Sequence, residues 1–274
     1  MFDRATLTEV ASLLREAART EILPRFRRLG ADGIRAKNGP FDLVTDADEI
    51  AERRIAAALE ARFPGCLIVG EEGCAADPSL LPRLAGAPLA FILDPVDGTA
   101  NFVAGVPLFG VMAAAVRHGE IVAGWIHDPF VDDTAIAAAG QGAWLEDAAG
   151  ARTTLRVAPA RPLEQMKASI SFRYLPEPLR QRVACRMPRF GAHFEYHCAA
   201  HAYRVVTAGH AHVLLFNRTM PWDHAAGWLL HRESGGYAAR FDGSPYSVLE
   251  TTGGLIAAPD RETWEAVRAT MLDP

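Results

Sequence analysis

The chain has 274 residues and carries 28 Lys and Arg against 33 Asp and Glu, a formal net charge of −5 at pH 7. Of its residues, 50% are hydrophobic and 22% are charged, which is the usage of a globular chain and excludes a disordered or fibrous protein. A mildly acidic chain without a basic stripe is unlike a dedicated nucleic-acid binder, so no nucleic-acid partner is expected.

The expected location follows from the segments that this sequence lacks. No apolar run reaches the roughly 18 residues of a transmembrane helix, so no membrane partner is expected. Asp3 and Glu9 lie where a signal peptide would have a basic segment and then an apolar one. The 4 cysteines form no C-x-x-C pair, which favours reduced thiols. Together these features predict a cytoplasmic protein.

Two amphipathic helices are predicted at the start of the chain. Apolar residues recur at three- and four-residue steps over residues 4–29, where Pro24 could introduce a kink. A second helix is predicted over residues 46–63, and Thr45 with Asp48 resembles a capping box at its start.

Strand patterns dominate the rest of the first half. Short apolar runs at 66–70 and 90–93 each end at a carboxylate, and β-rich runs separated by turn residues predict an antiparallel meander over 109–156. Helices and strands then alternate in the second half, with predicted helices at 199–208, at 223–233 and from residue 260, and predicted strands at 211–216 and 255–258. We therefore expect an α+β subdomain over residues 1–157 and a smaller α/β subdomain over residues 158–274.

The most informative segment is DPVDGTANF at residues 94–102, directly after the second short strand. An ordinary Asp-Gly turn is the simpler explanation. At a strand end, however, Asp94 and Asp97 would present two carboxylates where α/β proteins bind ligands. Gly98 and Thr99 would then open a helix whose unpaired backbone N–H groups suit a phosphate. Hard oxygen ligands beside an anion site are what a Mg²⁺-dependent phosphoryl reaction requires.

Two further carboxylates could join this pair. Glu71, in the GEE segment, follows the preceding strand, although a Glu-Glu pair is commonly a solvated surface feature. Asp223, in the WDHAAG segment, lies at a helix start, where an N-cap role is an equal alternative.

The segments GEE at 70–72, DPVDGTANF at 94–102 and WDHAAG at 222–227, in this order and spacing, resemble the inositol monophosphatase family. These are Mg²⁺-dependent, lithium-sensitive phosphatases, and their superfamily includes fructose-1,6-bisphosphatase and 3′-phosphoadenosine phosphatases. The resemblance implies a layered α-β-α-β-α sandwich, a homodimer and about two or three Mg²⁺ ions. It also implies that a small-molecule phosphate ester, an inositol-like polyol phosphate or a sugar phosphate, is hydrolysed by direct attack of water.

The resemblance further implies roles for the acidic residues. One metal would be held by Glu71, Asp94 and the Val96 carbonyl, and a second by Asp94, Asp97 and Asp223. Glu71 would also belong to the catalytic group, and both Asp97 and Asp223 would face the substrate.

Phosphate binding and water activation are assigned by the same resemblance. Gly98 and Thr99 would bind the phosphate through backbone N–H groups, and the Thr99 hydroxyl with Asp48 would help to activate the water. Asp48 lies in DLVTDAD, where capping of the second helix is its alternative role. Lys37 precedes this segment as in the family, with an exposed loop lysine as the alternative.

Two departures from the family pattern concern the substrate. Phe216 stands where the inositol-specific enzymes have a carboxylate for sugar hydroxyls, which removes a hydrogen-bond acceptor and disfavours myo-inositol monophosphate. His197 and Cys198 replace small residues before the helix at 199–208, and we place both in the substrate pocket. With His193 and His201, His197 could instead form a zinc site, although the strand-like pattern of 192–198 separates the directions of these side chains.

Other substrates and one other class of function stay open at this point. Histidinol phosphate, fructose 1,6-bisphosphate and 3′-phosphoadenosine 5′-phosphate are alternatives, and the last two need extra cationic contacts, for which Arg173, Arg180 and Arg204 are candidates. His224, beside Asp223, could support the metal ligands from behind, although a solvated residue of the helix start is the expected role. A regulatory interaction protein is the competing class, and the intact carboxylate set argues against it as the sole function.

Overall fold

The computed structural model describes residues 2–30, 33–37, 39 and 42–273. Within these ranges the α-helices, in chain order, are α1 (Arg4–Ala17), α2 (Asp46–Arg62), α3 (Glu71–Ala76), α4 (Thr99–Val103), α5 (Leu179–Arg186), α6 (Ala199–Thr207), α7 (Pro221–Glu233) and α8 (Arg261–Leu272). The strands are β1 (Ile34–Ala36), β2 (Leu43–Thr45), β3 (Leu67–Gly70), β4 (Ala90–Asp97), β5 (Gly110–Arg117), β6 (Glu120–Asp128), β7 (Asp133–Ala138), β8 (Gly142–Glu146), β9 (Arg152–Thr154), β10 (Lys167–Ile170), β11 (Ala192–Phe194), β12 (Val213–Phe216), β13 (Tyr237–Arg240) and β14 (Leu255–Ala258). No helix in these ranges is both long enough and apolar enough to cross a bilayer.

The larger sheet contains the predicted meander. Its strand order is β3-β4-β5-β6-β7-β8-β9, and every pair from β4 onward is antiparallel. The first pair lies outside the predicted meander, and its strands β3 and β4 run parallel. A parallel pair needs a crossover connection, and helix α3 with the 3-10 segment Pro78–Ala85 provides it.

The smaller sheet has the order β11-β10-β12-β14-β13. Strand β10 is parallel to both β11 and β12, whereas β14 is antiparallel to β12 and β13. The parallel strands therefore end at one edge of the sheet, and the loops after β10 and β12 leave it side by side. The two sheets are separate, and the predicted boundary between residues 157 and 158 falls in the connection from β9 to β10; the division into subdomains stays a prediction.

Both faces of the larger sheet are buried, which explains why its strands are almost continuously apolar. On β5, Val111 and Ala113 pack with α1 and α2, whereas Met112 and Ala114 pack with α6 and α7. This alternation is the two-residue period of a strand.

The smaller sheet is covered in the same way. Leu214 of β12 joins the core that includes α6 and α7, and its neighbours Val213 and Leu215 pack with Val183 of α5 and Val267 of α8. The layers are therefore helices, sheet, helices, sheet, helices, and the predicted sandwich is confirmed.

The first predicted helix is wrong in its extent. Helix α1 ends at Ala17, a π-helical turn spans Ala18–Ile22, and a 3-10 turn spans Leu23–Arg25. Pro24 lies in the 3-10 turn, where the ring of a proline is tolerated because the turn is beginning there.

Other predicted elements differ less. Helix α2 begins at Asp46 with the predicted capping box and ends one residue early. Strand β4 continues to Asp97, beyond the predicted end at residue 93, with a register shift between Asp94 and Asp97. The predicted strand at 192–198 is formed only at its start, by β11. The β1–β2 hairpin, helix α5 and the short strands β10 and β13 had no clear periodicity in the sequence.

Candidate active site

Three carboxylates from distant parts of the chain meet at the edge of the larger sheet. Because Gly70 of β3 is in register with Leu93 of β4, Glu71 and Asp94 follow neighbouring strand positions. Asp223 joins them from the first turn of α7. Each of the three residues offers one oxygen, and these oxygens lie within 4.8 Å of one another.

Hydrogen bonds orient the aspartates of the DPVDG segment. The backbone N–H of Val96 donates to Asp94 Oδ1 at 3.0 Å. Asp97 Oδ2 accepts from the Ala200 N–H at 2.5 Å and from Cys198 Sγ at 3.0 Å. The start of α6, in the second half of the chain, therefore fixes a carboxylate from the first half.

Gly98 makes the turn from β4 into α4. Its φ of 95° is in the left-handed region, and a Cβ here would lie 3.0 Å from the Leu108 carbonyl oxygen. Only glycine fits this conformation and this spacing without strain. Thr99 begins α4, as the sequence predicted.

Thr99 and Asp48 are connected by a hydrogen bond. The Thr99 hydroxyl lies 3.1 Å from Asp48 Oδ1 and 3.1 Å from the Val96 carbonyl oxygen. Asp48 Oδ2 accepts from the backbone N–H and the hydroxyl of Thr45, at 2.9 and 2.5 Å. Asp48 thus caps α2 and faces the acidic site with its other oxygen. Burial raises the pKa of Asp48 to about 6, although the hydrogen bonds from Thr45 act in the opposite direction.

Burial and mutual repulsion make the acidic site electrostatically strained without a cation. The pKa values of Asp94 and Asp223 are well above the usual value, first because both are buried and then because Glu71 and Asp97 lie close. Burial also raises the pKa of Asp97, against the hydrogen bonds that it accepts. A bound cation would relieve this repulsion.

Lys37 lies beside the same cluster and is not an exposed loop lysine. Its Nζ is 2.7 Å from Glu71 Oε1 and 2.8 Å from Glu72 Oε1. Burial alone would lower its pKa, but the two carboxylates outweigh burial and leave the pKa above its ordinary value.

Two cavities that share lining residues hold most of the predicted site. A hollow of about 130 Å³ is lined by Glu71, Asp94, Val96, Asp97, Gly98, Thr99, His197 and Asp223, among others. A cleft of about 210 Å³ shares Asp97, His197 and Asp223 with it and adds Cys198 and Phe216. The structure therefore brings the predicted metal, phosphate and substrate residues to one place.

Comparisons with known proteins agree with this geometry. The sequence model of the inositol monophosphatase family matches residues 3–272. This chain belongs to the inositol monophosphatase family. It is 31% identical over 229 residues to an inositol-1-monophosphatase of Bacillus subtilis, covering 82% of this chain and 83% of that protein. It is 32% identical over 213 residues to a fructose-1,6-bisphosphatase/inositol-1-monophosphatase of Thermotoga maritima, covering 77% of each.

Solved structures of the family have the same fold. An IMPase of Thermotoga maritima matches with a TM-score of 0.80 at 27% identity, covering 97% of this chain and 96% of that one. The extragenic suppressor protein suhB of Bartonella henselae matches with a TM-score of 0.81 at 26% identity, covering 97% and 98%.

The structure does not support the zinc site considered for three histidines or the solvated position expected for a fourth. His193 is exposed on β11, His197 has a 60% exposed side chain, and His201 Nε2 lies 3.2 Å from the Phe109 carbonyl oxygen. In the described ranges, the cluster that could hold a metal is the carboxylate group alone, so the zinc alternative fails. His224 is buried, and its ring contacts the Tyr203 hydroxyl at 3.1 Å, so the expectation of a solvated residue is wrong.

Of the candidate arginines, only Arg173 lines the cleft. Arg204 binds Asp133 at 2.5 Å, and Arg180 binds Glu177. Sequence reasoning missed Arg218, which also lines the cleft. Its position five residues before Asp223, just after a predicted strand, was the available signal.

Glu52 was also missed. The residue is 8% exposed, and its side chain accepts hydrogen bonds from the N–H groups of Glu72 and Gly73 at 2.9 and 2.7 Å. A Cβ on residue 70 would lie 2.2 Å from Glu52 Cδ, which explains the glycine of the GEE segment. The signal was a charged residue on the apolar stripe of α2.

Proposed function

We propose that this protein hydrolyses its substrate with Mg²⁺ ions held by Glu71, Asp94, Asp97, Asp223 and the Val96 carbonyl. The protein is a phosphomonoesterase that acts on phosphorylated small metabolites, as its family and its named relatives establish. The observation that carries the proposal is the convergence of the Glu71, Asp94 and Asp223 oxygens within 4.8 Å.

The donor set fits Mg²⁺. Its atoms are carboxylate and carbonyl oxygens, the ligands that hard divalent cations prefer, and soft donors are absent from the described cluster. The raised pKa values of the buried aspartates indicate negative charge that a divalent cation would offset. When bound, such ions supply positive charge that acidifies water and stabilises the leaving oxygen, with about two or three ions in the site.

Thr99 and Asp48 are suited to remove the proton from the attacking water. The single hydroxyl hydrogen of Thr99 points toward Asp48 Oδ1 or the Val96 carbonyl, so the lone pairs of Oγ1 can accept a hydrogen bond from water. As the water oxygen attacks phosphorus, a proton of the water moves toward Thr99 and Asp48. The nearby Glu71 carboxylate assists this proton transfer. The bond from phosphorus to the ester oxygen breaks, and that oxygen takes up a proton from solvent water, so the products are the alcohol and inorganic phosphate.

The remaining motif residues hold the substrate. Backbone N–H groups of Gly98 and Thr99 bind the phosphate at the start of α4, and Asp97 and Asp223 face it from the shared cavity wall. His197, Cys198 and Phe216 contact the organic part of the substrate in the cleft, and Lys37 holds Glu71 in place. Since Phe216 accepts no hydrogen bond, it disfavours myo-inositol monophosphate as the substrate.

Phosphate release with and without Mg²⁺ tests this proposal. We expect release to depend on Mg²⁺ and to fall at least about 100-fold in Asp97→Asn and Asp223→Asn, because each variant removes the negative charge of a proposed metal ligand. Asp242→Asn changes an exposed turn residue that lines neither cavity and should behave as wild type. Full activity in either ligand variant, or release without any divalent metal, would overturn the proposal.

Two expectations from the sequence stay predictions: assembly as a homodimer, and a cytoplasmic location. Sedimentation velocity would test the first, and fractionation of the host cell the second.

A further inference from the structure

We propose that this protein has a second binding site, remote from the acidic site, for a small phosphorylated metabolite with at least two negative charges. The site is a cavity of about 420 Å³, compared with about 210 Å³ for the substrate cleft. The start of α1, the strands β8 and β9, and the end of α7 form its walls.

This cavity is separate from the active site. Helix α7 carries Asp223 in its first turn, and its last residue, Glu233, lines the cavity. At the rise of an α-helix, about 15 Å of helix separates these two residues. Among the described residues, none lines both this cavity and one of the two active-site cavities.

Hydrogen bonds between the surrounding elements hold the cavity walls in place. Glu233 Oε2 accepts from the N–H groups of Gly140 and Gly142, each at 3.1 Å, which ties α7 to the turn before β8. The Val157 N–H donates to the Ser234 carbonyl oxygen at 3.1 Å, which ties the chain after β9 to the same end of α7. The cavity therefore exists before a ligand binds, as is usual for small-molecule sites.

Positive charge without a counter-charge lines this cavity. Arg4, Arg152 and Arg156 are lining residues, and Glu233, whose carboxylate is engaged as described above, is the acidic residue among the described ones. Arg152 is paired with Glu146 at 2.6 Å. Arg4 and Arg156 are exposed and form no ion pair within the described ranges. Because both guanidinium groups line one cavity, a bound anion would be attracted by both.

Trp144 adds an unused hydrogen-bond donor to the same wall. It is in register with Thr154 across β8 and β9, so these two lining side chains share one face of the sheet. The Arg152 guanidinium carbon lies 5.4 Å from the centroid of the Trp144 ring. The indole Nε1 is buried and has no hydrogen-bond partner in the part of the chain that the structure describes. A buried donor without a partner is costly, and an oxygen of a ligand that reached it would satisfy it.

These donors indicate the chemical class of the ligand. Guanidinium groups and an indole N–H donate hydrogen bonds and accept none, so the ligand must supply acceptors and negative charge. The planar fork of arginine matches two oxygens of a phosphate group, and two arginines without ion pairs match a doubly charged ligand. The cavity volume is that of a site for an organic metabolite.

Methylenediphosphonate tests this proposal, because it carries two phosphate-like groups on a P–C–P linkage that a phosphatase does not hydrolyse. Titration calorimetry uses the metal-free protein, since the clustered carboxylates of the acidic site repel anions when no cation is bound. We expect one bound molecule per chain. Its affinity should be at least about 10-fold higher than that of malonate, which has two carboxylates on the same one-carbon linker.

Variants of the two arginines locate the binding. Arg4→Gln and Arg156→Gln should each weaken the binding of methylenediphosphonate about 10-fold, and the double variant should abolish it. Both side chains are exposed, so the variants should fold, which circular dichroism checks. Arg83→Gln is the matched control, since Arg83 is exposed and does not line the cavity. No binding to the wild type, equal affinity for malonate, or unchanged affinity in the double variant would overturn the inference.

Discussion

Glu52 gives the sharpest test of how the acidic site is held in place. Its carboxylate accepts from two first-turn N–H groups of α3, the helix that begins with Glu71. These bonds fix the start of α3 from a neighbouring helix, α2, and so fix the direction of Glu71. We predict that Glu52→Ala weakens Mg²⁺ binding without removing any proposed metal ligand.

The magnitude follows from the two bonds that are lost. A hydrogen bond to a charged group stabilises by about 1.5–3 kcal/mol. Because the variant also removes the penalty of burying Glu52, whose pKa burial raises, we expect a net loss of about 2 kcal/mol in unfolding free energy. Residues that support a metal ligand typically change metal affinity by about 10- to 100-fold, and a 10-fold change corresponds to about 1.4 kcal/mol.

Titration calorimetry with Mg²⁺ and urea unfolding without metal would measure the two effects separately. Glu60→Ala is the matched control, because Glu60 lies on the same helix and is exposed. It should change neither quantity by more than about 0.5 kcal/mol. If Glu52→Ala bound Mg²⁺ as tightly as wild type, the argument that Glu52 positions Glu71 would be wrong, even with a loss of stability.

Three other predictions concern stability. Asp223→Asn should raise the melting temperature of the metal-free protein, because it removes a buried charge that repels its neighbours. In a thermal shift assay, the same variant should lose the additional stabilisation by Mg²⁺. A melting temperature of the metal-free variant below that of wild type would contradict this. Burial lowers the pKa of His127 from 6.5 to about 4, so its contribution to stability is complete above pH 6.5 and is lost as the pH falls toward 4. NMR titration of the ring checks this, and a midpoint near 6.5 would refute it. Gly227→Ala should destabilise by about 1–3 kcal/mol in urea unfolding, because its Cβ would lie 2.1 Å from the Tyr203 ring. Gly86→Ala, with no atom within 4 Å of its Cβ, is the control, and equal effects would refute the packing argument.

Local sequence signals determined much of the acidic site. Asp94 and Asp97 follow an apolar run, Gly98 requires a left-handed turn, and Asp48 forms a capping box with Thr45, so each could be located from its neighbours in the chain. These features depend on backbone geometry over a few residues, which the sequence specifies directly. The apolar runs of the meander strands, separated by turn residues, could be recognised for the same reason.

The contacts that complete the site depend on residues far apart in the chain. The parallel register of β3 and β4 places Glu71 beside Asp94, and the packing of α7 on the larger sheet brings Asp223 to both. The burial of His224 and the separate positions of Arg173 and Arg204 were likewise decided by which layers cover which faces. Sequence periodicity shows that a side chain faces a core, but not which element packs there. The residues with chemistry were therefore determined by the sequence, whereas the tertiary structure alone decided which of them share one cavity.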